Sequence, residues 1–421
     1  MNRYQDIVGK ISYGLFLTIV VLLPFPQICL RYACVLWFIA WLLEGRWLRR
    51  FQWSVFSFQI PFILFGLWYV WKTISGFWAA DHAAWSWQME RYLTFLLMVP
   101  VGIWGVNRYY NWKTAGRVLV ISCIAAVPLY LMWMTALFYH PEWTANMSFQ
   151  EPWIQHENWF TFVSENISHF KHRLFLCCVE LFGCIIACQL YRRRWAILIP
   201  SLIVMLSMIP LTASRQSILS AIVLGVGIAI YALPQAKRLK YSVGIIAVGL
   251  IAVWGFIHFH PRIQQVDIHD FTEMRTLSYD HDIRFNIWGA ALQHPQDYLA
   301  YGIGAGQSKN YLGEKYQEAG FDYYALEKFH AHNQYLEELM EIGLPGLLLF
   351  LLAWLSIPIC AQKEGRQTAV LFTILFMFSM CTDCMFGKFD GIALWAIGLV
   401  FILLQTNAEC EEQSARDTET H

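Results

Sequence analysis

The sequence predicts an all-α polytopic membrane protein of about 12 membrane-spanning helices, with a large outer helical loop between the ninth and tenth. Three observations carry this. Of 421 residues, 57% are hydrophobic and 14% charged, with a mean hydropathy of +0.42, whereas soluble domains carry about 25% charged residues. Apolar runs of bilayer length recur along the chain. Cationic residues fall in alternate connections, the pattern that orients membrane helices. Formal net charge is zero, so bulk charge gives no reason to expect a nucleic-acid partner.

The apolar runs lie at about 11–25, 28–44, 57–76, 91–106, 117–139, 174–190, 195–212, 217–234, 241–259, 343–361, 367–383 and 389–405. The first lacks a small-x-small cleavage site and is expected to remain as a helix. With the N-terminus and its Arg3 and Lys10 inside, the even-numbered connections also face inside. They carry or border on Arg46, Arg49, Arg50; Arg108, Lys113, Arg117; Arg192, Arg193, Arg194; Lys237, Arg238, Lys240; and Lys363 and Arg366. These fourteen cations stand against two acids, Glu44 and Glu364. The short outer connections show no such bias, so both termini are expected in the cytoplasm.

This divides the chain into 1–259 (nine spans), 260–342 (an outer helical subdomain), 343–406 (three spans) and 407–421, a polar tail expected to be disordered. An outer connection at about 140–173 carries Trp143, Trp153 and Trp159. The connection at 260–342 exceeds ordinary loop length and holds 13 Asp/Glu, 6 Lys/Arg and 6 His. Apolar helical patches within it, such as Ile283 to Leu292, predict short packed helices. The cysteines mostly sit inside apolar runs as small packing residues. Cys381-x-x-Cys384 lacks the second pair a metal site needs, and a disulfide there has no further support.

Chemistry-bearing residues gather at outer borders. His330-Ala331-His332-Asn333 ends the large outer loop. His332 is a candidate general base, a neutral imidazole able to take a proton from an attacking hydroxyl; its alternative is an interfacial or capping histidine. His330 is a candidate support for it. The His-x-His spacing does not put two ligands on one helix face and shows no third ligand, so no metal is expected. Arg215, in Thr212-Ala213-Ser214-Arg215-Gln216-Ser217, either snorkels or binds an anion with its planar fork. Arg284, in a helix start expected to be capped by Asp282, either pairs with Asp280 or holds an anion. Arg31 and Arg91 are weaker candidates for that role. The glycines of Tyr301-Gly302-Ile303-Gly304-Ala305-Gly306 predict a tight turn rather than a dinucleotide site, since no βαβ unit surrounds them. Glu337, Glu338 and Glu341 suit the start of a helix.

Together these residues resemble the O-antigen ligase and polymerase superfamily of bacterial envelope glycosyltransferases. The resemblance rests on His332-Asn333, nine residues, then Gly343-x-x-Gly346; on Arg284-x-x-x-Trp288 followed by the Gly302-Ile303-Gly304 turn; and on Arg215 after the seventh span. The span layout extends it over most of the chain. It implies an inner-membrane enzyme with a periplasmic site. The donor would be a glycan on undecaprenyl diphosphate, and the acceptor a lipid A-core sugar for a ligase or another lipid-linked glycan for a polymerase. It further implies metal-independent, inverting transfer without a cofactor: His332 as base, His330 in support, Arg215 and Arg284 on the diphosphate, and Asn333 a weaker site candidate. Ligase is the expected reading and polymerase its alternative. A twelve-span transporter or flippase would instead show repeated halves and polar sites near the midplane.

Overall fold

The computed structural model describes residues 3–45, 56–140, 143, 158–259, 283–327 and 329–419. Every regular element among them is helical: α1 (Arg3–Leu22), α2 (Gln27–Leu43), α3 (Phe56–Ile74), α4 (His82–Trp104), α5 (Trp112–Tyr139), α6 (Trp159–Asn166), α7 (Arg173–Leu190), α8 (Trp195–Leu211), α9 (Arg215–Ala232), α10 (Gln235–Phe259), α11 (Ile283–Gln293), α12 (Ser308–Glu318), α13 (Asp322–Glu327), α14 (Gln334–Cys360), α15 (Lys363–Met380) and α16 (Phe389–Glu419).

Eight of these helices, α1, α3, α5, α7, α9, α10, α14 and α16, contain stretches long and apolar enough to cross a membrane by length and composition. Three more, α2, α8 and α15, are apolar but shorter. The expected fourth span lies in α4, whose first turns hold His82, Gln88, Glu90 and Arg91 and dilute its hydropathy. The tail departs from expectation too. α16 runs as helix through Glu419, because Ala, Glu, Gln and Arg in this stretch are strong helix formers.

The described residues form two compact units. The first comprises 1–51, 104–249 and 393–421. In it α1 packs on α2 and α5, and α7 packs on α5, α8 and α9. The Tyr110 hydroxyl meets Ser12 Oγ at 2.8 Å and accepts Trp37 Nε1 at 2.7 Å, so buried polar groups satisfy each other. In the expected outer connection, Asn158 caps α6 by accepting from Phe160 N and Thr161 N at 2.9 and 3.2 Å. Phe162 and Val163 then pack against Met134 and Leu137 of α5. Trp153 lies outside the described residues.

The second unit comprises 52–103 and 250–392 and pairs α3 with α14. An aromatic core fills it, with Trp68 against Phe95 at 4.9 Å and Trp354 against Phe376 at 5.0 Å between ring centroids. α11, α12, α13 and the 295–331 turns bury a separate cluster that includes Ile287, Tyr298, Leu312, Tyr316, Tyr324 and Ala331. The expected cap Asp282 and its neighbour Asp280 fall outside the described residues.

α14 is broken. Gly343 adopts φ 68° and ψ −175°, backbone open to glycine, and Pro345 opens the segment beyond it. The break leaves carbonyls that the helix cannot satisfy. Ile303 N donates to Met340 O, and Gly304 N to Glu341 O, each at 2.9 Å, while Trp71 Nε1 donates to Ile342 O at 3.0 Å. The glycine-rich turn therefore caps the first half of α14, backbone on backbone. A Cβ at Gly302 would stand 2.2 Å from Glu341 O, and one at Gly304 2.7 Å from Ala79, so both positions need glycine.

Candidate functional site

The site grows from the residue between the two histidines. Ala331 is fully buried; its N–H donates to Glu337 Oε2 at 3.0 Å and its carbonyl accepts from Trp288 Nε1 at 2.9 Å. Trp288 lies one helical turn beyond Arg284 on α11, which gives a physical reason for that sequence pair. With Ala331 held from both sides, His332 takes φ 46°, a left-handed conformation that costs a non-glycine residue about 1–2 kcal/mol. His332 N donates to His330 Nδ1 at 3.1 Å, and the two rings lie 3.9 Å apart between centroids.

Asp383 approaches both rings. Its Oδ1 lies 4.0 Å from His330 Nε2 and 3.9 Å from His332 Nδ1. Burial holds both imidazoles well below the ordinary histidine value, each pushed down to about 4. For His332 the neighbouring His330 adds to the lowering, and the charges of Arg284 and Lys309 lower both further, while Asp383 opposes. Both rings are thus neutral near pH 7. The carboxylate faces His332 Nδ1, which favours the tautomer protonated there and leaves the Nε2 lone pair for a substrate proton.

A ring of carboxylates secures this turn. Glu337 Oε1 accepts from Ser308 Oγ at 2.6 Å, and its Oε2 lies 3.8 Å from Cys384 Sγ. Glu341 accepts from Gly306 N at 2.9 Å and from Lys72 Nζ at 2.6 Å. Glu338 accepts from Trp68 Nε1 at 3.0 Å and from Gln334 Nε2 at 2.7 Å. Glu337 stands in the first turn of α14 as expected, and the three acids also build a hydrogen-bonded frame joining α3, α12, α14 and the glycine-rich turn.

His330, His332, Arg284, Arg91 and Asn333 belong to the second unit, Arg215 and Arg31 to the first. Asn333 is the N-cap of α14, accepting from Leu336 N and donating to Cys381 O, each at 3.1 Å. Arg91 stacks on Trp87 at 3.6 Å and donates to Gly387 O. Arg31 donates to Gln27 Oε1 at 2.9 Å. Arg215 opens α9 behind the N-cap Ser214, with Ala213 at φ 46°. Among the described residues, the two non-glycine positions of positive φ are thus His332 itself and Ala213, a neighbour of Arg215. Cys381 and Cys384 are free thiols.

Sequence reasoning missed Asp383, Lys72, Lys309 and Lys388. A lone lysine inside an apolar run was a usable signal for Lys72. Asp383 had none, because only the fold brings it to the histidines. It also supplies the third ligand atom that the sequence did not offer for a metal: nitrogen atoms of His330 and His332 and a carboxylate oxygen of Asp383 all lie within 4.8 Å of one another. Cationic Arg284, Lys309 and Lys388 act on the same place, which opposes a further cation and favours an anionic guest.

Fold and site thus define a helical membrane protein with paired neutral histidines, an acid and a cationic surround at the end of an apolar helix. Residues 200–351 match the family model described as O-antigen ligase, and the match supports the O-antigen ligase superfamily. The matched stretch contains Arg215, Arg284, His330 and His332, and Asp383 lies beyond it. No curated protein matches the chain. The family points to ligase- or polymerase-type handling of glycans.

Proposed function

We propose that this protein is an inner-membrane glycosyltransferase of the O-antigen ligase type, moving a preassembled glycan from undecaprenyl diphosphate onto a lipid A-core hydroxyl in the periplasm. The observation that carries the reading is the neutral His332 ring with Asp383 at 3.9 Å from its Nδ1, set beside cations. His332 Nε2 takes the proton of the attacking hydroxyl. The oxygen forms a bond to the anomeric carbon as the anomeric C–O bond to the diphosphate breaks, its electron pair passing to the diphosphate. Configuration inverts. Asp383 steadies the imidazolium, and His330 supports His332 through its contact with the His332 N–H. Arg284 neutralises charge developing on the leaving diphosphate. Arg215 is proposed as a donor-binding cation on its sequence context alone. The reaction proceeds without a metal, and the twelve-span topology of the sequence is retained with the site facing outward.

The test is complementation of a host lacking its own enzyme with His332→Ala and Arg215→Ala variants, read on surface lipopolysaccharide. Loss of glycan attachment in both is expected, and normal attachment in both overturns the mechanism. Since the matched family includes polymerases, the null strain also discriminates: free lipid-linked polymer accumulates for a ligase, and core capped with single repeats appears for a polymerase. Transfer that persists in excess EDTA is expected; loss reversed by a divalent ion assigns the His330–His332–Asp383 group to a metal.

A further inference from the structure

We infer that Lys309 and Lys388 form an anion-binding rim on the histidine site that receives phosphate oxygens of a substrate. Both side chains are exposed, and neither makes an ion pair or hydrogen bond among the described residues. Their charges nevertheless reach the site: that of Lys309 acts on both histidines and that of Lys388 on His330, alongside Arg284.

The backbone under each lysine is tied to the helix that carries the histidines. Lys309 follows Ser308, whose hydroxyl donates to Glu337 at 2.6 Å, and Glu337 in turn accepts from Ala331 N at 3.0 Å. Two hydrogen bonds thus separate the start of α12 from the histidine turn. Lys388 ends the 385–387 turn. That turn hangs from α14 through Phe386 N to Gln334 Oε1 at 2.9 Å, and from α4 through Arg91 to Gly387 O. It also continues from Asp383 and Cys384, which approach His332 and Glu337.

A lysine with no carboxylate partner among the described residues, on a pinned backbone beside a neutral base, leaves its charge available to a ligand. Asp383 is turned to the two imidazoles, and the charges of Arg284, Lys309 and Lys388 act on His330 against it. Lysine offers a mobile ammonium, suited to following phosphate oxygens that move as a leaving group departs, where arginine fixes a fork. The phosphate belongs either to the donor diphosphate or to a phosphorylated acceptor saccharide. This choice rests on the proposed transfer reaction; the anion site itself does not.

The experiment labels surface amines of the full-length protein in nanodiscs with an acylating reagent, with and without inorganic pyrophosphate, and quantifies each lysine by mass spectrometry. Pyrophosphate is expected to protect Lys309 and Lys388 and to leave exposed Lys240 unchanged. In transfer assays, Lys309→Ala and Lys388→Ala are each expected to raise one KM about tenfold, the loss of one charge-assisted hydrogen bond. A rise for the lipid-linked donor assigns the rim to the diphosphate, and a rise for the acceptor assigns it to a saccharide phosphate. Protection of neither lysine overturns the inference. Protection in a protein that transfers no glycan upholds the anion site and removes the transfer reading instead.

Discussion

Lys72 Nζ lies 2.6 Å from Glu341 and 3.1 Å from Glu338, with the lysine side chain fully removed from solvent. One cation faces two acids, and the balance is made by neutral donors: Gln88 Nε2 at 2.9 and 3.1 Å and Gly306 N at 2.9 Å to Glu341, and Trp68 Nε1 at 3.0 Å to Glu338. Removing one partner of a buried pair costs about 3–5 kcal/mol, because the charge left behind loses its counterion. Lys72→Met is therefore expected to lower the thermal unfolding temperature in detergent markedly, and adding Glu341→Gln to it is expected to recover part of the loss. An unchanged melt for Lys72→Met contradicts this.

The glycine-rich turn gives a sharper steric expectation. Gly302 has φ 79°, and an added Cβ would meet Glu341 O at 2.2 Å, against rigid backbone. Gly302→Ala should destabilise by at least about 1–2 kcal/mol from the left-handed conformation alone, with the clash adding to it. Gly320 also has positive φ, 79°, but faces open space; Gly320→Ala should cost only the conformational part. Comparing the two melts separates close approach from backbone strain, and equal losses refute the packing argument.

Glu337 joins Ser308 and Ala331 on opposite carboxylate oxygens, so its effect on the histidines is indirect. In Glu337→Ala the Ala331 N–H and the Ser308 hydroxyl both lose this acceptor. Misplacement of a catalytic group by about 1 Å can cost about 100-fold in rate. The expected signature is a kcat reduced by about 10- to 100-fold with donor KM unchanged, and Ser308→Ala should reproduce a smaller part of it. A proportionate rise in KM with kcat intact places Glu337 in ligand binding rather than positioning.

Much of this arrangement was legible before the fold. The expected start of an apolar run at 343 coincides with the break of α14 at Gly343, the α11 helix was written in the apolar run from Ile283, and the histidine turn in its His-x-His-Asn signature. The role of Trp288 was carried by its spacing from Arg284 without a reason attached. What could not be read is what depends on distant segments meeting. Asp383 follows His332 by a whole helical hairpin, and Lys72 precedes Glu341 by 269 residues. The periodicity of each helix says which face is apolar, but not which partner a buried charge finds. Asn333 and Arg91 have partners that the sequence did not name for the same reason: Asn333 caps a helix, and Arg91 meets Trp87 and a loop carbonyl.

The histidines make acidity the most direct probe of the site. Burial holds both at about 4 in the fold, against about 6.5 in an unfolded chain. The unfolded state therefore binds more protons between those values, so the stability due to neutral histidines is complete above pH 6.5 and declines as pH falls toward 4. The same shift places the acidic limb of the kcat/KM profile, which reports the free enzyme, below the usual histidine range, so transfer should persist at pH 5.5, where an ordinary histidine base would be mostly protonated. Arg284 holds both values down, so Arg284→Gln should move the limb to higher pH. Asp383 acts in the opposite direction, so Asp383→Asn should move it lower while reducing kcat, because the imidazolium loses its counter-charge. A wild-type limb at 6.5 that neither substitution moves would mean that His332 is not the group whose proton limits the reaction.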